Sequence, residues 1–95
     1  MTYELEFKKS ALKEWRELGA TIKSQFKKKL TEVLNNPHIE SAKLSGGNGL
    51  YKIKLRQAGY RLVYEVNDTV ITVTVISVGK RDKGTVYKVA MDRIN

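Results

Sequence analysis

The chain has 95 residues, with 18 Lys or Arg against 10 Asp or Glu, and its formal net charge at pH 7 is +8. A chain of this length forms one domain, here residues 1–95, which buries about two-thirds of the surface that the unfolded chain exposes. Because it contains no cysteine and one histidine, disulfides and thiolate or multi-histidine metal sites are excluded, and we expect no metal and no cofactor. The positive charge favours nucleic acid, an anionic membrane surface or an acidic protein as partner.

Two further features bear on where the protein acts. No apolar stretch approaches the roughly 20 residues that a membrane span requires. The N-terminal segment also lacks the long apolar run of a signal peptide. We therefore expect a cytoplasmic protein with no membrane partner.

The N-terminal part of the chain predicts a strand followed by two helices. Residues 2–7 alternate apolar and polar side chains, as a strand does, and residues 8–18 place apolar residues at helical spacing, with Trp15 the largest of them. Thr21 is positioned to cap a second helix, which Pro37 ends. The apolar stripe of that helix comprises Ile22, Phe26, Leu30, Val33 and Leu34. We expect a helical hairpin that covers a sheet, with Trp15 in the core rather than stacked on a nucleic-acid base.

A glycine-bearing loop over residues 36–49 follows the second helix. It contains His38, which lies far in sequence from the basic residues described next. We interpret His38 as an ordinary surface residue in preference to a catalytic one.

Three strands with one apolar face are predicted between residues 50 and 81. Two-residue turns at 58–59 and 67–68 would set their register, because Gly59 and the Asn67-Asp68 pair tolerate tight-turn geometry. The expected cross-strand pairs are Leu55 with Leu62, Ile53 with Tyr64, Tyr51 with Val66, Leu62 with Val73, and Tyr64 with Ile71. Every pair is apolar, so both turns predict the same core face.

The opposite face of these strands collects positive charge. Its basic residues are Lys52, Lys54, Arg56 and Arg61, with Arg81 just past the end of the third strand. Since alternation places these side chains on one side of the sheet, they indicate a negatively charged ligand. The expected register places Glu65 opposite Lys52, where an exposed ion pair contributes less than about 1 kcal/mol, so we interpret Glu65 as a charge partner and not a catalyst.

A short C-terminal helix is predicted from about residue 86. Its apolar stripe comprises Val86, Val89, Ala90 and either Arg93 or Ile94, and Tyr87 lies off that stripe. The predicted fold is therefore α+β, with a four-stranded, mostly antiparallel sheet. The N-terminal helical hairpin packs on one face, and the short C-terminal helix completes the domain.

Several of these segments resemble the RelE toxins of bacterial type II toxin–antitoxin pairs. They are the runs ALKEW, YKIKLR, GYRLVYEV, VISVGKR and VY, and the likeness extends over essentially the whole chain. The resemblance implies the RelE-like microbial RNase fold and a ribosome-dependent endoribonuclease that cuts mRNA in the ribosomal A site and inhibits translation. In that family the 2′-hydroxyl is the nucleophile, and the products carry a 2′,3′-cyclic phosphate and a 5′-hydroxyl.

The family's functional residues correspond to Lys52, Lys54, Arg61, Arg81 and Tyr87. On that resemblance Lys54 is the general base, and Arg81 stabilises or protonates the leaving oxygen. Lys52 and Arg61 hold the scissile phosphate, while Tyr87 orients the substrate through stacking and its hydroxyl. Further basic residues assigned to RNA or ribosome binding are Arg56, Lys80 and Lys83.

A lysine base has to lose its proton near neutral pH, against an ordinary pKa of about 10.4. Lowering that pKa by about three units needs roughly 4 kcal/mol. A like charge about 7 Å away supplies about 2 kcal/mol at an effective dielectric constant near 20, so the cations around Lys54 would provide most of the shift. Arg81 suits bidentate phosphate binding better than proton donation, because a guanidinium hardly deprotonates.

The resemblance also implies partners. They are a cognate RelB-like antitoxin that blocks the basic face or displaces the C-terminal helix, the 70S ribosome with mRNA in its A site, and operator DNA bound only together with the antitoxin. Two alternatives remain open from the sequence. One is a ParE-like gyrase poison of the same superfamily, and the other is a non-catalytic module that binds nucleic acid or the ribosome.

Overall fold

The structure, a computed structural model, describes residues 2–44, 49–80 and 85–94. The elements in chain order are β1 (Glu4–Phe7), α1 (Lys9–Arg16), α2 (Ala20–Asn35), β2 (Leu50–Leu55), β3 (Tyr60–Asn67), β4 (Thr72–Lys80) and α3 (Thr85–Ile94). A short 3-10 turn, Glu40–Ala42, precedes β2. Within the described ranges no helix is long and apolar enough to cross a membrane.

The sheet has four strands in the order β1-β4-β3-β2. The pairs β2–β3 and β3–β4 are antiparallel, as predicted, whereas β1 runs parallel to β4. The sheet is therefore mixed. Because β1 joins beside the last strand of the chain, no hairpin turn fixes its direction.

The predicted register of both hairpins is wrong. The connections are longer than two residues and span Arg56–Gly59 and Asp68–Ile71. Gly59 takes a φ of 73° and donates its N–H to the carbonyl of Leu55, which closes a wider turn that only a residue tolerant of positive φ permits readily. Ile53 consequently pairs with Leu62 instead of Tyr64.

The side chains nevertheless face the predicted way. Moving the partner of Ile53 from Tyr64 to Leu62 is a shift of two residues, and an even shift keeps each side chain on its face. Between β3 and β4 the register changes at a bulge after Val63. The additional residue on β4 is Ile76, which turns to the opposite face and lets Val78 return to the core.

The helical hairpin covers one face of the sheet and forms the main core. Its buried members include Trp15, Phe26, Leu30, Leu62, Tyr64, Val73 and Val75. Trp15 is only 8% exposed and packs between Phe7 and Phe26, so its prediction as a core residue is confirmed. Thr21, however, is not a cap: α2 begins at Ala20, with Gly19 in the N-cap position and no side-chain capping bond.

The opposite face is not simply polar. A second, smaller core lies there beneath α3 and consists of Leu44, Leu50, Val63, Ile76, Val86 and Ala90. Gly79 permits this packing, because a Cβ built at that position would lie 3.3 Å from Cγ2 of Val86. The Ser77 hydroxyl adds a 2.8 Å hydrogen bond to the Val86 carbonyl. Helix α3 therefore covers part of the face that carries the lysines and leaves the rest open.

Candidate active site

Three of the predicted site residues lie together on the α3 side of the sheet. Lys52 and Lys54 alternate along β2, and Arg61 of β3 is the direct cross-strand partner of Lys54. Directly opposed residues have Cβ atoms about 4.5–5.5 Å apart, and like charges in this position destabilise a sheet. All three side chains are partly exposed. An unfavourable concentration of charge that faces solvent indicates a site for an anion.

The carboxylate expected beside these cations is not there. Glu65 pairs with Leu50, and Lys52 pairs with Val63, since the two-residue shift in register moves Glu65 along the strand. Over the described ranges, no ion pair involves Lys52 or Arg61. The positive potential of this face is therefore not neutralised by Glu65.

Tyr87 lies on the first turns of α3 and comes next to Lys52. The Lys52 Nζ atom lies 5.9 Å from the centroid of the Tyr87 ring, within the range of a cation–π contact. The ring packs partly against the smaller core, so Tyr87 is more buried than its place off the apolar stripe suggested. Its hydroxyl is buried without a hydrogen-bond partner among the described residues, an arrangement that lowers stability by about 1–3 kcal/mol.

A bidentate ion pair fastens α3 to the rest of the domain. Arg93 of α3 donates to both carboxylate oxygens of Glu14 of α1, at 2.9 and 3.1 Å. The same guanidinium donates to the Ile76 carbonyl at 2.7 Å, and Glu14 accepts the Val78 N–H at 3.2 Å. Both side chains are largely shielded from solvent. Since Tyr87 and Arg93 share one helix, this contact helps to set where the Tyr87 ring lies.

The remaining predicted site residues do not all lie at the basic face. Arg56 is exposed and follows β2 directly, close to Lys54. Lys80 ends β4 opposite Tyr60, whose ring packs against the main core. The register thus puts Lys80 on the other face from Lys54, and the structure does not bring the two together. Arg81 and Lys83 lie outside the described residues.

His38 takes part in a hydrogen-bond network that the sequence did not reveal. Its Nε2 atom lies 2.8 Å from Oδ1 of Asp68, and its Nδ1 atom lies 3.2 Å from the Tyr51 hydroxyl. The Tyr3 hydroxyl donates to the same Asp68 oxygen at 2.6 Å. Tyr51 faces the main core, so the network lies on the other face from the lysines. His38 is therefore more than an ordinary surface residue, but it does not belong to the basic site.

This network perturbs two of its members. The hydrogen bond from Tyr3, followed by the one with His38, lowers the pKa of the Asp68 carboxyl from its ordinary value. The reciprocal hydrogen bond to Asp68 raises the pKa of Tyr3. In the described part of the chain no group of three or more His, Cys, Asp or Glu side chains lies close enough to hold a metal ion. The described residues that gather at the basic face carry amines, guanidinium groups and a phenol.

Comparison with known proteins places this geometry in a family. A family model described as the ParE toxin of the type II toxin–antitoxin system parDE matches residues 5–84. The mRNA interferase toxin RelE of Escherichia coli K12 is 57% identical over 94 residues, which cover 99% of each chain. The chain belongs to the RelE toxins. The family model bears the name of the other branch of the superfamily and ends at residue 84, whereas the similarity to RelE extends over 99% of the chain and includes α3.

Solved structures agree with the fold described above. A free E. coli RelE variant with two arginines replaced by alanine superposes with a TM-score of 0.92 at 56% identity, and the match covers all of both chains. The toxin in the intact E. coli RelBE toxin–antitoxin complex gives a TM-score of 0.82 at 58% identity, with 85% of this chain and 99% of that chain covered. The predicted α+β fold is thereby confirmed, as is the resemblance to the RelE toxins.

Proposed function

We propose that this RelE toxin is a ribosome-dependent endoribonuclease that cuts mRNA in the ribosomal A site and so inhibits translation. The observation that carries the proposal is the direct opposition of Lys54 and Arg61 on an open sheet face, with Lys52 over the ring of Tyr87. The E. coli relative is named an mRNA interferase, which is the same class of activity.

The reaction needs no external nucleophile. The 2′-oxygen attacks the adjacent phosphorus, and the bond to the 5′-oxygen of the next nucleotide breaks, which leaves a 2′,3′-cyclic phosphate and a 5′-hydroxyl. Lys54 accepts the proton of the 2′-hydroxyl as the general base. Lys52 and Arg61 stabilise the additional negative charge of the pentavalent phosphorane.

Further residues contact the leaving 5′-oxygen and a nucleobase of the RNA. We assign charge stabilisation of the 5′-oxygen to Arg81 on the basis of the family resemblance, with its guanidinium remaining protonated, and the proton that completes the 5′-hydroxyl comes from water. Tyr87 offers an aromatic face against which a base or sugar packs, and Lys52 above that ring orients the neighbouring phosphate. Arg56 extends the basic surface beyond Lys54 and is assigned to the RNA backbone.

The requirement for a ribosome follows from what this set of residues lacks. It contains amines, guanidinium groups and a phenol but no histidine–carboxylate pair of the kind that activates nucleophiles in many hydrolases. Correct orientation of reacting groups accounts for up to about 7–11 kcal/mol of a barrier. We infer that the ribosome supplies this orientation by holding the codon, while the toxin supplies charge and a base.

The proposed partners are also inferred from the family. The solved E. coli RelBE complex pairs the relative with an antitoxin, and we propose a RelB-like antitoxin for this chain. A net charge of +8 favours an acidic partner segment that covers the basic face or displaces α3. The complex with antitoxin would bind operator DNA in the cytoplasm, where the ribosomal target is located.

Primer extension on a message translated in a cell-free extract tests this function. The protein, its Arg81→Ala variant and a Lys13→Ala control on the exposed side of α1 are compared. We expect breaks inside codons that require ribosomes, that Arg81→Ala abolishes and that Lys13→Ala retains. An intact message with translation blocked would instead indicate binding without cleavage. An intact message with normal translation would indicate a gyrase poison.

A further inference from the structure

A groove lies where the far end of β2 meets α2, on the outer edge of the sheet. Its volume is about 330 Å³. It is lined by Gln25, Lys29, Lys54, Leu55, Arg56, Gln57 and Ala58. Because β2 is an edge strand, no further strand from the described ranges closes this side, and the groove opens to solvent. We call it the α2–β2 groove.

The lining of the α2–β2 groove suits an anion. Among the described residues that form it, Lys29, Lys54 and Arg56 are cations and none is an Asp or Glu. Lys29 and Arg56 are exposed, and neither forms an ion pair with a described carboxylate. The amide groups of Gln25 and Gln57 add hydrogen-bond donors that a phosphate oxygen accepts.

Lys54 connects this groove with the candidate active site. It alternates with Leu55 at the end of β2 and stands opposite Arg61 on the α3 face, and the same residue is part of the groove lining. A nucleic-acid strand with one phosphate at Lys54 therefore continues over the open edge of β2 toward α2. Arg56 and Lys29 line the groove along that path.

We propose that the α2–β2 groove binds a backbone phosphodiester of RNA next to the one that is cut, with Lys29 and Arg56 as its cationic ligands. The proposal rests on the proposed function only in taking Lys54 as the point where the RNA enters. The phosphodiester belongs either to the message or to ribosomal RNA, since both present the same group. Lysine contributes a point charge and arginine a bidentate fork, and neither contact selects a base, so binding is independent of sequence.

The α2 helix supplies a matched control. Lys27 is exposed like Lys29 and lies two residues earlier, but it lines a different cavity with Leu5, Trp15 and Leu34 on the β1 side of the domain. Lys27→Gln and Lys29→Gln therefore remove the same charge from the same helix at opposite sides. Neither residue belongs to the proposed catalytic set.

The experiment measures binding of a short fluorescent RNA with 2′-O-methyl sugars, which prevent cleavage, over a range of salt concentrations. The logarithm of the association constant falls linearly with the logarithm of the salt concentration, and loss of one phosphate contact makes this slope shallower by about 0.7. The gain in affinity from 1 M to 0.1 M salt is then about fivefold smaller. We expect this change for Lys29→Gln on at least two unrelated RNA sequences and not for Lys27→Gln. Cosedimentation with ribosomes that carry no message assigns the contact: a parallel loss there indicates ribosomal RNA, and its absence indicates the message.

Equal behaviour of the two variants on both the RNA and the ribosomes would overturn the proposal. So would a Lys29→Gln defect confined to an acidic peptide of matched charge, which would make the groove a protein-binding surface. A failure of the proposed function is distinguishable, because the binding assay involves no cleavage. If cleavage occurs, Lys29→Gln raises KM and leaves kcat unchanged, since the groove lies beside the scissile bond and not at it.

Discussion

Arg93 and Glu14 form a bidentate pair that occupies the edge of β4 beyond the point where β1 ends. The last residue of β4 that pairs with β1 is Val75. Directly after it, the Ile76 carbonyl accepts a hydrogen bond from Arg93, and the Val78 N–H donates one to Glu14. The ion pair therefore takes the place of a strand at this edge and joins α1 and α3 through it.

This arrangement predicts that the two charges cannot be exchanged. Glu14→Ala and Arg93→Ala should each lower the free energy of unfolding by about 2 kcal/mol, because each leaves a shielded charge and a backbone group unpaired. The double variant Glu14→Arg with Arg93→Glu should not restore stability. It would place a carboxylate against the Ile76 carbonyl and a guanidinium against the Val78 N–H. Urea unfolding measures both effects, and full recovery in the double variant would show that only the ion pair matters.

The buried hydroxyl of Tyr87 predicts opposite effects on stability and activity. Tyr87→Phe removes a polar group that has no hydrogen-bond partner in the described part of the chain, so it should raise stability by about 1 kcal/mol. It should also reduce cleavage, if the hydroxyl contacts RNA once α3 adjusts to the substrate.

Tyr64→Phe is the matched control for this experiment, because its hydroxyl donates to the Pro37 carbonyl at 3.1 Å. Its removal should lower stability by about 1 kcal/mol and leave cleavage unchanged. Thermal unfolding and the ribosome cleavage assay report the two quantities separately. A loss of stability in Tyr87→Phe would contradict the assignment of its hydroxyl as unpaired.

The face of the sheet on which each side chain lies was predictable from the sequence, whereas the pairing register of the strands was not. Alternation alone places Ile53 and Leu62 in the core and Lys54 outside it, whatever the turn. The turns depend on local backbone choices that alternation does not encode. Gly59 closes one of them at positive φ, and the Asn67 side chain accepts the N–H groups of the next turn at 3.0 and 3.4 Å.

Within the site, the residues of β2 and β3 were predictable as a group, since one strand spacing relates them. The contact between Lys52 and Tyr87 was not, because it depends on how α3 docks on a bulged strand. The same holds for Glu14 and Arg93, which lie at opposite ends of the chain. The resemblance to RelE toxins identified Tyr87 as a site residue. Periodicity alone showed only that Tyr87 lies off the apolar stripe of α3.

The roles of Lys54 as base and as phosphate ligand can be separated by Lys54→Arg. Arginine keeps the positive charge opposite Arg61 but does not deprotonate at neutral pH. If Lys54 is the base, kcat should fall by about 10²–10⁴-fold, while the affinity for 2′-O-methyl RNA stays within about twofold, as expected for a retained charge. Single-turnover cleavage on programmed ribosomes gives the rate. Wild-type rates in Lys54→Arg would assign the base to another group.

The network around Asp68 predicts how stability depends on pH at both extremes. The pKa of Asp68 is lowered, first by the hydrogen bond from Tyr3, so its contribution is present above the ordinary carboxyl pKa of 3.8 and is lost as pH falls through the folded value. The pKa of Tyr3 is raised by the same bond, so its contribution is present below pH 10.0 and is lost as pH rises through the folded value. Burial also raises the pKa of Tyr64, which adds to the loss of stability at alkaline pH.

The variant Asp68→Asn tests this dependence when the urea midpoint of unfolding is measured as a function of pH. The fall of the midpoint at acid pH (the acid limb) should become shallower, and the fall at alkaline pH should weaken to the part due to Tyr64. An unchanged acid limb in that variant would show that other carboxyl groups govern acid unfolding.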